Sequence, residues 1–85
     1  MPPIVIYTKS GCPYCDAAKD LLRRKGARYE EVSVNGDRAG QAAMAAKAGG
    51  RSTVPQIFIG PTHVGGCDDL YDLEAAGRLD PLLNP

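Results

Sequence analysis

Neither sign of charge is in excess: ten lysine and arginine side chains are matched by ten aspartates and glutamates, and the formal net charge at pH 7 is zero. The electrostatic footprint that nucleic-acid binding needs is missing. No stretch of about 18 apolar residues occurs, so a membrane-spanning helix is not expected. The opening Met1-Pro2-Pro3-Ile4-Val5-Ile6-Tyr7 lacks a basic lead and its apolar run is short, unlike an export signal. These absences predict a cytoplasmic protein with no nucleic-acid or membrane partner. Cysteine is scarce as well. Cys12, Cys15 and Cys67 are too few and too odd in number for a secreted disulfide scaffold, which leaves chemistry as their reason for being there.

What remains is compact. At 85 residues, with 44% hydrophobic and 24% charged side chains, the chain is far from disordered composition and long enough for one domain, residues 1–85. Folding a chain of this size hides only about 60% of its surface, so any site must lie on one small scaffold.

Ile4-Val5-Ile6-Tyr7-Thr8 is β-branched and aromatic without polar alternation, the pattern of a central strand covered on both faces. After Ser10-Gly11, Pro13 suits a first helical turn, Ala18, Leu21 and Leu22 share a helix face, and Gly26 follows a basic last turn. Tyr29 to Val34 resumes a strand, giving a strand, helix, strand unit with parallel strands and a right-handed crossover. The alanine-rich stretch from Ala39 to Ala48 predicts a second helix ending at Gly49-Gly50. Gln56-Ile57-Phe58-Ile59 and Thr62-His63-Val64, joined by Gly60-Pro61, predict an antiparallel pair. Leu70, Leu73 and Ala76 or Ala75 form the face of a third helix ended by Gly77. The expected architecture is α/β: a mixed sheet of four strands with three helices distributed over both faces.

Cys12-Pro13-Tyr14-Cys15 falls where the first strand gives way to the first helix, the place where ligand sites collect in such sheets. Residues three apart are neighbours on a helical turn, so the two sulfurs come within bonding reach, Cys12 at the exposed end and Cys15 one turn further in. One attacks and the other resolves. Unpaired N–H groups at the helix start favour a thiolate, and such motifs bring a thiol from near 8.5 to about 3.5–7.5. Lys9 adds a nearby cation. A structural zinc site from Cys12, Cys15, His63 and Cys67 is the competing reading, but a second close ligand pair is missing, and no metal is expected. Thr53-Val54-Pro55 precedes the third strand. The proline withholds a donor and keeps Val54 extended, so the Val54 backbone can pair with an extended peptide, and a cis bond would fit there. In Gly65-Gly66-Cys67-Asp68-Asp69 the glycines allow close backbone approach and the first N–H groups of the last helix can bind a carboxylate.

Lys9, Cys12-Pro13-Tyr14-Cys15, Thr53-Val54-Pro55 and Gly65-Gly66-Cys67-Asp68-Asp69, in this order over essentially the whole chain, resemble the dithiol glutaredoxins, particularly the short bacterial type. The resemblance implies a thioredoxin fold with strand order 2-1-3-4 and a cis proline facing the cysteines. It implies Cys12 as nucleophile, Cys15 as resolving thiol, and glutathione as co-substrate. Lys9 would pair with the glycine carboxylate of glutathione and Tyr14 would flank its cysteinyl part. Val54, with Thr53 and Pro55 beside it, would pair with the cysteinyl backbone, and Gly66, Cys67 and Asp68 would hold the γ-glutamyl end. Where relatives carry a Gln or Arg on the second helix, this chain has Ala42 and Ala43, with Arg51 or Gln41 as the replacement. The implied activity is reduction of protein disulfides and protein–glutathione mixed disulfides by a monomer. Its protein partners would be disulfide-containing or glutathionylated proteins such as ribonucleotide reductase and similar reductases. The alternative is a module holding an iron–sulfur cluster between two subunits through Cys12 and glutathione. Pro13 disfavours it by the same resemblance.

Overall fold

The computed structural model describes all 85 residues, in the order β1 (Ile4–Thr8), α1 (Pro13–Arg24), β2 (Glu30–Ser33), α2 (Arg38–Lys47), β3 (Gln56–Ile59), β4 (Thr62–Gly65), α3 (Cys67–Ala75) and α4 (Leu79–Leu83). The four strands form one sheet in the order β2-β1-β3-β4. β1 and β2 run parallel from Val5 opposite Glu30 to Thr8 opposite Ser33, as a helical crossover requires. β3 returns antiparallel to β1, with Ile4 opposite Ile59 and Tyr7 opposite Gln56, and β4 pairs antiparallel with β3 across an irregularity at Ile57/Phe58. This is the thioredoxin fold in the expected strand order.

Alternation along the central strands divides the interior into two layers. Ile4, Ile6, Ile57 and Ile59 pack with Leu21 and Leu22 of α1, Leu70 of α3, and Leu79 and Leu83 of α4. On the opposite face Tyr7 meets Val34 and Met44, with Val5, Val32, Val54 and Phe58 around them. β1 is buried along nearly its whole length, which fits its unalternating sequence, whereas β2 is an edge with exposed Glu30 and Ser33.

Three helices were expected and four are present. Gly77, at φ +70°, ends α3 with paired bonds from its own N–H to the Glu74 carbonyl and from Arg78 N–H to the Leu73 carbonyl. The chain then turns into α4, whose Leu79 and Leu83, four apart, are fully buried. Five residues are too few to show a period, and Pro81 reads as a breaker. In the first turn, where its missing N–H costs nothing, it is instead compatible with the helix.

Candidate functional site

Cys12 is the residue before α1, in extended conformation (φ −108°, ψ 100°), with Pro13 opening the helix. Its carbonyl accepts from Asp16 N–H at 3.1 Å, while its sulfur accepts from Cys15 N–H, also at 3.1 Å. The Cys12 sulfur therefore serves as the helix cap. An N–H aimed at a sulfur stabilises an anion more than a neutral thiol, and the helix N-terminus acts in the same direction. As a thiol, Cys12 also donates to the Val54 carbonyl at 3.9 Å.

Cys15 is 1% exposed. Burial pushes its thiol up to about 12; the hydrogen bond with Cys12 adds to the rise, and the Lys9 backbone opposes it. The two sulfurs are thus unequal by construction, an accessible one and a covered one that stays protonated. Cys67, buried at the start of α3, is also pushed up, first by burial and then by the neighbouring Asp68 and Cys12.

Beside Cys12 lies an open groove of about 160 Å³, lined by Tyr14, Arg51, Thr53, Val54, Pro55, Gly66, Cys67, Asp68 and Asp69. The register of β3 on β1 explains its position. With Gln56 opposite Tyr7, the preceding Val54-Pro55 step, whose peptide is cis, lies beside the loop leaving β1. β4 then carries the chain back to the start of α3, whose Gly66 and Cys67 form the far wall. As the first residues of that helix, Cys67 and Asp68 have N–H groups without helical partners. Tyr14 is 65% exposed at the rim.

Seven of the eight flanking residues expected from the sequence line this groove. Lys9 does not. It borders a separate polar depression with Thr8, Ser10, Gly11, Asp16, Lys19, Glu31 and Ser33. Of the two replacements for the second-helix contact, Gln41 is turned away, its Nε2 donating to the Val34 carbonyl at 2.9 Å, and Arg51 is at the groove. Sequence reasoning did not separate Asp69 from Asp68. Asp69 Oδ2 accepts from Gly66 N–H at 2.8 Å and from Arg51 Nη1 at 3.1 Å, tying the loop before β3 to the start of α3. The Gly66 bond chiefly, and then Arg51, hold this carboxyl below the usual carboxylate range. Its signal was position: an acidic residue three after a helix cap reaches back to the cap N–H. Gly65, at φ +111°, leaves room for this clasp, since a Cβ there would collide with the Asp69 carboxylate and the Arg51 guanidinium.

The four residues of the zinc reading do not converge, and no three His, Cys, Asp or Glu side chains cluster as ligands. His63 is engaged elsewhere: it hydrogen-bonds Gln56 Oε1 at 2.7 Å and stacks on Phe58 at 4.8 Å. Gln56, fully buried, passes the connection to Thr53 Oγ1 at 3.2 Å and so steadies the groove's edge.

A thioredoxin fold with a half-buried and a buried thiol three residues apart at the start of α1 defines a small dithiol redox protein. Residues 4–64 match the sequence model of the glutaredoxin family. The chain is 58% identical over 84 residues to the Glutaredoxin of Pseudomonas aeruginosa, covering 99% of each, and 54% identical over 83 residues to Glutaredoxin 3 of Escherichia coli K12, covering 98% and 99%. Among solved structures it is similar to the solution structure of glutaredoxin from Brucella melitensis (TM-score 0.85, 54% identity, 98% of this chain and 89% of that one). It is similar also to the buckwheat glutaredoxin–glutathione complex (TM-score 0.85, 38% identity, 96% and 76%). The chain belongs to the glutaredoxin family, and its chemistry is thiol–disulfide exchange. No helix is long and apolar enough to cross a membrane.

Proposed function

We propose that the protein is a glutathione-dependent oxidoreductase that reduces protein disulfides and protein–glutathione mixed disulfides. The observation that carries this reading is the Cys12 sulfur, capped by the Cys15 N–H beside a groove whose walls are backbone donors and polar side chains. The Cys12 thiolate attacks the glutathione sulfur of a mixed disulfide, forming a Cys12–glutathione disulfide and expelling the substrate as its thiolate. A second glutathione thiolate then attacks the glutathione sulfur of this adduct, forming glutathione disulfide and releasing the Cys12 thiolate. With a protein disulfide, Cys12 instead bonds to the substrate and Cys15 closes on Cys12, releasing the reduced substrate; two glutathiones then reopen the pair.

In this reading the glutathione moiety occupies the groove. Its cysteinyl backbone pairs with Val54, Thr53 and Pro55 flank it, and Tyr14 covers its side. The free N–H groups of Cys67 and Asp68, next to Gly66, receive the γ-glutamyl carboxylate, with the Asp68 carboxylate toward the ammonium. Lys9, from the separate depression that it borders, reaches for the glycine carboxylate. The buckwheat relative, solved as a glutathione complex, supports the choice of ligand.

An assay coupled to NADPH and glutathione reductase tests it. Cys12→Ser abolishes turnover of a glutathionylated peptide, whereas Cys15→Ser retains most of it and loses activity only on protein disulfides. Equal losses in both variants, or wild-type turnover that does not depend on glutathione, would defeat the proposal.

A further inference from the structure

One polar cluster lies outside the groove. Lys19 is one helical turn beyond Cys15 on α1, so the two side chains share a face. Its side chain is only 18% exposed, and its ammonium is 3.1 Å from Glu31 Oε2 on β2 and 3.7 Å from Asp16. The same Glu31 oxygen accepts from Thr8 Oγ1 at 2.7 Å, and Thr8 is itself buried at the end of β1. Three elements therefore fix one cation a helical turn beyond Cys15, although a surface lysine on a helix ordinarily keeps its freedom.

We propose that Lys19, held by Glu31 and Thr8, is a positioning residue for the resolving step, its ammonium stabilising the Cys15 thiolate as that thiolate forms. The inference rests on the role given above to Cys15. In that step the Cys15 thiol releases its proton to solvent, and its thiolate attacks Cys12 Sγ in a Cys12–S–S–R mixed disulfide. The Cys12–Cys15 bond forms, the Cys12–R bond breaks, and R leaves as a thiolate that takes up a proton. A buried thiol pushed up by desolvation is the slow partner in such a step, and the positive charge of Lys19 opposes that rise. The groups acting on Cys15 are Cys12 just before α1, Lys19 from α1 and the Lys9 backbone; those acting on Lys19 are Glu31 from β2, Asp16 from α1, and Tyr29 just before β2. Arg23 bears on Glu31 in turn. Glu31, held low first by Thr8 and then by Lys19, stays charged across the neutral range and is an anchor for the cation rather than a base.

The test is a single-turnover experiment on the whole chain. Reduced protein is mixed with one equivalent of glutathione disulfide, quenched in acid at intervals, and weighed by mass spectrometry, which separates the Cys12–glutathione adduct from the closed disulfide. Lys19→Met slows closure at pH 7 by about threefold, because the smaller thiolate fraction is partly offset by the greater nucleophilicity of a more basic thiolate. It moves the rise of the closure rate to higher pH and leaves adduct formation unchanged; Lys19→Arg restores both. Should the Met variant unfold, Lys19→Gln reports the same loss of charge while keeping a donor for Glu31. Closure in a folded Met or Gln variant that follows the wild-type rate and pH profile overturns the proposal. Failure of the wild type to close at all would instead remove the role of Cys15 itself.

Discussion

The clasp between Asp69, Gly66 and Arg51 gives the sharpest prediction, because it joins stability to ligand binding. Replacing Asp69 by Ala removes the acceptor that caps α3, worth about 1 kcal/mol. The accompanying ion pair joins side chains that are 47% and 43% exposed, so solvent screening limits it to about 0.5 kcal/mol. A loss of about 1.5 kcal/mol lowers the melting temperature of a domain this size by about 6–12 °C. Asp69→Asn keeps an acceptor and loses only the charge, for a drop of about 2–4 °C. The sign of the pH dependence follows from the direction of the shift. A carboxyl held low in the folded state contributes fully above its unfolded value, near pH 4, and loses that contribution as pH falls through the lower folded value. Thermal unfolding of wild type and Asn variant should accordingly differ by a constant amount from pH 7 to about pH 5, with the gap narrowing progressively as pH falls below about 4. In the coupled assay, release of the Gly66 wall raises the KM for a glutathionylated substrate more than it lowers kcat. An Ala variant melting with the wild type at pH 7, or an Asn gap that persists unchanged at pH 3, would refute the reasoning.

Gly65→Ala should disturb the same clasp from the other side, since its Cβ meets Asp69 and Arg51 at a left-handed φ; a raised KM with little change after Gly66→Ala, where the nearest atoms are 3.5 Å away, distinguishes the positions. Gln56→Leu strands His63 and Thr53 without their buried partner, a cost of about 1–3 kcal/mol, visible in chemical denaturation as a lower midpoint with an unchanged slope. Leu22→Ala empties a fully buried site between α1 and the sheet and should cost about 2–5 kcal/mol by the same measurement. Brief iodoacetamide treatment of the reduced protein at pH 7 should add a single label, at Cys12, because Cys15 and Cys67 are buried and both are pushed up; labels at all three before denaturation would contradict their burial.

How far the sequence carried the reading depends on the range of the forces involved. Pro13 after Cys12, the Ala18, Leu21, Leu22 face and the glycine after the basic turn are decided within one or two helical turns, so they located the redox pair at a strand–helix junction from local sequence alone. The unalternating Ile4-Val5-Ile6-Tyr7 run likewise announced a central strand. The fourth helix escaped because Leu79 and Leu83 become a helix face only once the layer formed by α1 and α3 is there to bury them. Spacing could not say that Arg51, rather than Gln41, stands at the groove, nor that Asp69 is spent on a cap while Lys9 borders a different depression. Nor could it bring Lys19 to Glu31 and Thr8. Those outcomes follow from strand register: Gln56 opposite Tyr7 and Thr8 opposite Ser33 fix which distant segments become neighbours. Register is a long-range property of the whole sheet. The cysteine pair was therefore written in four consecutive residues, but its surroundings were assembled only when the sheet closed.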